Sequence, residues 1–82
     1  MFSIRPSLAD PADHAAAVVP SDDTDLTVPA LALYVGVNGD VRLKTVSGET
    51  VTFVDVPVGI LPVRTRRVYS TGTTATDIVA CW

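Results

Sequence analysis

Apolar and polar residues alternate with a period of two through the middle of the chain, the spacing of β-strands with one buried face. Leu31, Leu33, Val35 and Val37 alternate with Ala32, Tyr34 and Gly36. Val41 and Leu43 alternate with Arg42 and Lys44, and Val51 and Phe53 with Thr50 and Thr52. Asn38-Gly39 supplies the residue types of a tight hairpin turn, and Ser47-Gly48 a second turn. The pattern predicts a three-stranded antiparallel meander over residues 31–54.

On either side the signal is shorter. Ala15 to Val19 closes on Pro20 and reads as a short strand. Ser21-Asp22-Asp23-Thr24-Asp25 follows as a loop whose side chains can bond their own backbone. Beyond the meander, Pro57, Gly59 and Pro62 punctuate a connection, so the next strand starts near Leu61 or Val63 and runs to about Ser70. Strict alternation from Val63 and Thr65 would bury Arg67 and expose Val68. A β-bulge at Arg66-Arg67 repairs the pattern and turns both arginines outward. The last strand runs from Thr76 to Trp82 with apolar residues on both faces, as expected for a strand buried within a sheet or beneath a neighbour.

With 14 Val, 10 Thr and 3 Ile, β-branched side chains dominate, and these fit a pleated surface better than a helix. The expected fold is all-β: a small antiparallel β-sandwich or partly open barrel of about six strands. Residues 1–13 carry prolines and no periodicity and read as an extended N-terminal arm, leaving 14–82 as a single β-domain.

Composition adds a reason to expect partners. The 82 residues are 48% hydrophobic and 18% charged, against a usual ~25% charged. A chain this short has little room for both a core and a deep cleft. Its one cysteine, Cys81, permits no internal disulfide, and its one histidine, His14, with that cysteine makes no zinc site. Contact with other subunits is the remaining aid to stability.

The net charge of −3 speaks against binding nucleic acid through phosphates. The charges are segregated: Asp10, Asp13, Asp22, Asp23 and Asp25 lie early, and Arg64, Arg66 and Arg67 lie late. That asymmetry would let the acidic segment of one copy meet the basic strand of another. The N-terminus lacks a basic region followed by an apolar stretch, so no export signal is expected and the chain reads as a soluble cytosolic product.

No enzyme chemistry is legible. His14 has no Gly-x-Ser-x-Gly elbow with it and reads as flanking a strand. Cys81 reads as a small buried apolar residue. Asp22-Asp23-Thr24-Asp25 lacks the glycine and distal glutamate of an EF-hand loop. No cofactor or metal is expected. Arginine forks suit carboxylates, phosphates and sugar acids. A carbohydrate- or anion-binding β-module, with Tyr34 or Tyr69 as a stacking surface, is therefore the alternative to a structural role.

Ala32-Leu33-Tyr34-Val35-Gly36 with Gly39-Asp40-Val41, the segment Pro57 to Val68, and Ser70-Thr71-Gly72-Thr73-Thr74-Ala75-Thr76 resemble the head-spike base proteins of gene transfer agents and related tailed phages. The resemblance runs from about residue 12 to the end and takes in His14-Ala15 and Val19-Pro20-Ser21-Asp22. Cys81-Trp82 departs from it in bulk. The resemblance implies a non-enzymatic virion protein, made in the host cytoplasm. Copies of it, most simply a pentamer, would form a base at a capsid vertex and carry a spike or fibre. The interface candidates are Asp22, Asp23, Asp25, Arg64, Arg66, Arg67, Tyr69 and Trp82.

Overall fold

The computed structural model describes residues 12–82; the first eleven residues of the expected arm lie outside them. Seven strands form: β1 Ala15–Ala17, β2 Ala32–Val37, β3 Gly39–Thr45, β4 Thr50–Val56, β5 Gly59–Leu61, β6 Thr65–Val68 and β7 Thr76–Cys81. They make two antiparallel sheets, one ordered β1-β7-β2-β5 and the other β4-β3-β6. Of the two architectures expected, this is the sandwich.

The alternation works as a burial code. Leu33 and Val35 of β2, with Ile78 and Ala80 of β7, face Val41 and Leu43 of β3 and Val68 of β6, all at most 3% exposed. Phe53, opposite Val41, packs half-buried against this layer, whereas Val51, opposite Leu43, is 41% exposed. Among the described residues Thr65 is the one buried polar residue, and its hydroxyl donates to the Val63 carbonyl at 2.9 Å, which removes the cost of an unpaired buried group.

The three-stranded meander does not form. β3 and β4 are a hairpin, closed by Thr45 N–H to Glu49 O at 2.8 Å and Gly48 N–H to Thr45 O at 2.9 Å, with Gly48 at φ 101°. β2, however, belongs to the opposite sheet, paired with β5 and β7. Among the described residues positive φ occurs only at Gly48, Asp55, Gly59, Gly72 and Asp77. Asn38-Gly39 is therefore a crossing between layers and not a hairpin turn. The segment Thr73–Ala75 occupies the flank of β3 instead. Thr74 and Ala75 N–H donate to Asp40 O at 2.8 and 3.1 Å, and Thr74 Oγ1 accepts from Asp40 N–H at 2.8 Å. Gly39 admits that close approach, since a Cβ there would lie 2.5 Å from Ala75 N.

The expected fifth strand is likewise divided. β5 joins β2 and β6 joins β3, with Pro62 between them, because proline has no N–H to continue a ladder. The bulge forms where parity demands it. Lys44 pairs with Arg67 and Thr45 with Thr65, leaving Arg66 as the extra residue, and both Thr65 and Val68 point inward. Only part of the outward turn is realised: the Arg67 side chain is 18% exposed. The first strand is shorter than expected, but its ladder extends beyond it, from the His14–Trp82 hydrogen bonds to Val18 N–H on Ile78 O. β7 lies between β1 and β2, buried within a sheet.

Candidate assembly interface

After β1 the chain leaves the first sheet and runs along the outer edge of β6. Ser21 N–H donates to Val68 O at 2.9 Å, Leu26 N–H to Arg66 O at 2.8 Å, and Ala30 and Thr65 exchange bonds at 2.8 and 3.0 Å. Ser21 Oγ accepts from the N–H groups of Asp23 and Thr24, both at 3.2 Å, which turns the loop so that its carboxylates flank the basic strand. Residues 18–30 are thus a strap over an edge that would otherwise be open.

Charges on the strap and on β6 meet within one chain. Asp25 Oδ1 accepts from Arg67 Nε at 2.7 Å, and Asp25 Oδ2 lies 3.4 Å from Arg66 Nε. Arg67 also donates to Asp22 O at 3.1 Å. The hydrogen bond from Arg67 holds the Asp25 carboxyl below the usual carboxylate range, and the same bond raises Arg67. Asp22 accepts from Thr71 twice, from N–H at 2.9 Å and from the hydroxyl at 2.6 Å, and these bonds lower its pKa. Asp25 thus meets Arg66 and Arg67 within one copy, and the Asp22 carboxylate takes protein donors.

Tyr69 sits between two arginines, with Arg42 Cζ 4.6 Å and Arg67 Cζ 5.6 Å from its ring centre, an arrangement in which the ring face attracts both cations. Its hydroxyl lies 3.3 Å from Thr50 Oγ1, and that contact lowers its pKa. Tyr69 is 9% exposed, so its ring is covered and is not a stacking platform. Alternation had no means of placing Arg42 over this ring, because Arg42 belongs to a neighbouring strand.

The remaining candidates lie apart. Asp23 is exposed on the strap. Arg64 is half-buried beyond the bulge, beside the β3–β4 turn, where its carbonyl accepts from Val46 N–H at 3.1 Å. Trp82 is half-buried at the far end of β7, stacked on His14 at 5.5 Å between ring centres and 18° between planes. Trp82 and Asp25 both line one groove of about 240 Å³, together with Ala16, Ala17, Leu26 and Val28.

Composition led us to expect spare apolar surface, but sequence reasoning did not place it. Val54 is 73% exposed, Ile60 62% and Val58 56%. On the outer face of the first sheet Ile60, Tyr34, Val79 and Ala17 form one cross-strand row. The succession Phe53-Val54 was the available sign, because adjacent residues in a regular strand point to opposite faces and only one of the two can enter the core.

These features define a small seven-stranded antiparallel β-sandwich whose acidic strap is pinned to its basic strand. Its fold and sequence are similar to those of a chain in the capsid of the native gene transfer agent (GTA) particle, computed with C5 symmetry: 42% identity, TM-score 0.82, covering 96% of this chain and 93% of that one. The chain belongs to the same family as that GTA capsid chain. No protein-family model matches it, and no curated protein does.

Proposed function

We propose that this chain is a structural component of a GTA or phage-like particle, in which copies form a ring-shaped base at a capsid vertex and attach a head spike or fibre. The observation that carries this reading is the identity of 42%, over nearly the full length of both chains, with a chain of the native GTA particle's capsid computed with C5 symmetry. A five-fold ring requires heterologous contacts that close on themselves. A sandwich that leaves Val54, Val58 and Ile60 outside its core has apolar surface to give to such contacts. Asp22, Asp23, Asp25, Arg64, Arg66, Arg67 and Trp82, on several parts of the surface, are proposed to contact other proteins of the particle, while Tyr69 is proposed to act from beneath by holding Arg67. The arm, residues 1–13, is proposed to pack on a neighbouring protein of the particle.

The test is the native mass of the purified chain, together with images of particles made without it. A species of five times the 8.6 kDa chain mass, and particles whose vertices lack spikes, are expected. A clean monomer at micromolar concentration, with spikes retained on particles that lack the chain, would overturn the reading. Removal of residues 1–11 is expected to leave the melting curve unchanged and to weaken retention on the particle. Unfolding of the truncated chain would assign the arm to the core.

A further inference from the structure

Every open sheet presents two edges of unpaired N–H and C=O groups, and stable proteins cover, shorten or charge them. This sandwich treats its four edges unequally. The β6 edge is covered by the strap. β5 is three residues long, between Pro57 and Pro62. β4 is seven residues, Thr-Val-Thr-Phe-Val-Asp-Val, with no proline, lysine or arginine. Among the described residues nothing pairs with the outer edge of β1 either, and no charge lies between His14 and Ser21.

Hydrogen-bond parity says which groups are free. Thr45 N–H donates to Glu49 O, and Leu43 and Val41 stand opposite Val51 and Phe53. Odd residues of β4 therefore bond inward, and Thr50 and Thr52 aim their N–H and C=O away from the sheet. On β1, His14 exchanges bonds with Trp82, and Val18 N–H donates to Ile78 O. There the even residues bond inward, and Ala15 and Ala17 aim their groups away from the sheet, where no described residue takes them.

The two edges lie on opposite sides of the sandwich. Val18 bonds β7 and Ser21 bonds β6, so three residues of chain join the β1 side to the β6 side. Val56 ends β4 and Gly59 begins β5, so the β4 and β5 edges share the other side. Open edges on opposite sides cannot satisfy each other within one copy, and between copies they give a head-to-tail contact that repeats. Side-chain size fits as well. β1 is three exposed alanines, which lose no side-chain freedom on burial, and β4 carries the protruding Val51 and Val54, 41% and 73% exposed.

We propose that the free edge of β4, through Thr50 and Thr52, pairs with the free edge of β1, through Ala15 and Ala17, of a second copy of this chain, joining the three-stranded sheet of one copy to the four-stranded sheet of the next. The proposal rests on the ring reading and names its seam.

The experiment combines the native mass of the unmodified chain with two variants. Thr52→Pro removes an outward N–H that the copy's own ladder does not use, a position where edge strands accept proline. It is expected to keep the β-sheet circular dichroism and to raise the midpoint concentration of assembly by about tenfold or more. In a Cys81→Ser background, Thr52→Cys combined with Ala15→Cys or Ala17→Cys is expected to give a ladder of disulfide-linked multimers on oxidation, since directly opposed strand residues have the Cα spacing a disulfide needs. Thr52→Cys alone is expected to give none. If the unmodified chain is a ring and no pair cross-links, the seam lies elsewhere and this inference fails while the ring reading stands. Dimers from Thr52→Cys alone mean that β4 pairs with β4, which also overturns it. A monomeric unmodified chain removes the ring and the seam together. The cross-links read the seam even if Thr52→Pro does not fold.

Discussion

Asp25 and Gly39 are the residues on which the local arrangement turns. Among the described residues Asp25 is the only carboxylate that reaches both arginines of the bulge, and Asp22 secures the Thr71 turn beside it. Both carboxyls are held below the ordinary value of 3.8 by these bonds. A depressed folded-state pKa adds stability that is fully present above 3.8 and is lost as pH falls through the folded value. The melting temperature of the native chain should therefore hold from neutrality to about pH 4.5 and fall below pH 3.8, while a variant carrying Asp22→Asn and Asp25→Asn should start lower and show a flatter acid limb. Parallel acid limbs in the two proteins would mean that these carboxylates do not set the acid response. Gly39 acts through what it lacks. With Ala75 N 2.5 Å from any Cβ, Gly39→Ala should cost about 1–3 kcal/mol by overpacking, measured by urea denaturation, and a neutral substitution would show that the crossing can widen.

The strap and the bulged strand are one unit at the scale of elements. Arg66 is inserted into β6 so that Thr65 and Val68 both point inward, and the Arg66 carbonyl left on the outer edge accepts from Leu26. The strap thereby behaves as an irregular fourth strand beside β4-β3-β6. Its bonds to β6 predict that the amides of Ser21, Leu26 and Ala30 exchange with solvent more slowly than those of Asp23 and Thr24, which donate to the Ser21 hydroxyl at the surface of the strap. Amide exchange followed by NMR checks this, and uniform fast exchange across 21–30 would leave β6 as an open edge. A second irregularity, Asp55 at φ 55°, accompanies the register shift of β4, with Asp55 N–H held by Asp40 Oδ1 at 2.9 Å. It confines regular pairing on the free edge to the Thr50 end.

For the whole molecule the ratio of core to surface decides. Leu33, Val35, Val41 and Leu43 are fully buried, whereas Val54, Val58 and Ile60 remain largely exposed. Leu43 lies between Val51 and Val68 at the centre of its sheet. Leu43→Ala should cost about 2–5 kcal/mol, a large part of the ~5–15 kcal/mol by which domains are stable. Denaturant midpoints measured at one fixed protein concentration test this, because association adds to apparent stability by mass action. A loss below about 1 kcal/mol would mean that the layer collapses around the missing side chain.

Much of this was legible in the chain itself. Period-two alternation places each strand's inward residues, because successive side chains on a pleated backbone must point to opposite faces. The Arg66-Arg67 bulge follows from the same parity, since Thr65 and Val68 cannot otherwise both be buried. The two apolar faces of β7 gave away its interior position. Alternation says which face a residue takes, but not which strand lies beside it. That choice, with β2 between β5 and β7 and the segment at Thr73–Ala75 taking the flank of β3, was made by edges distant in sequence competing for the same backbone groups. The pairing of Asp25 with Arg66 and Arg67, and of Tyr69 with Arg42, followed from it. Such contacts exist only once the chain has crossed between its sheets, and no local pattern encodes where a crossing brings two segments together.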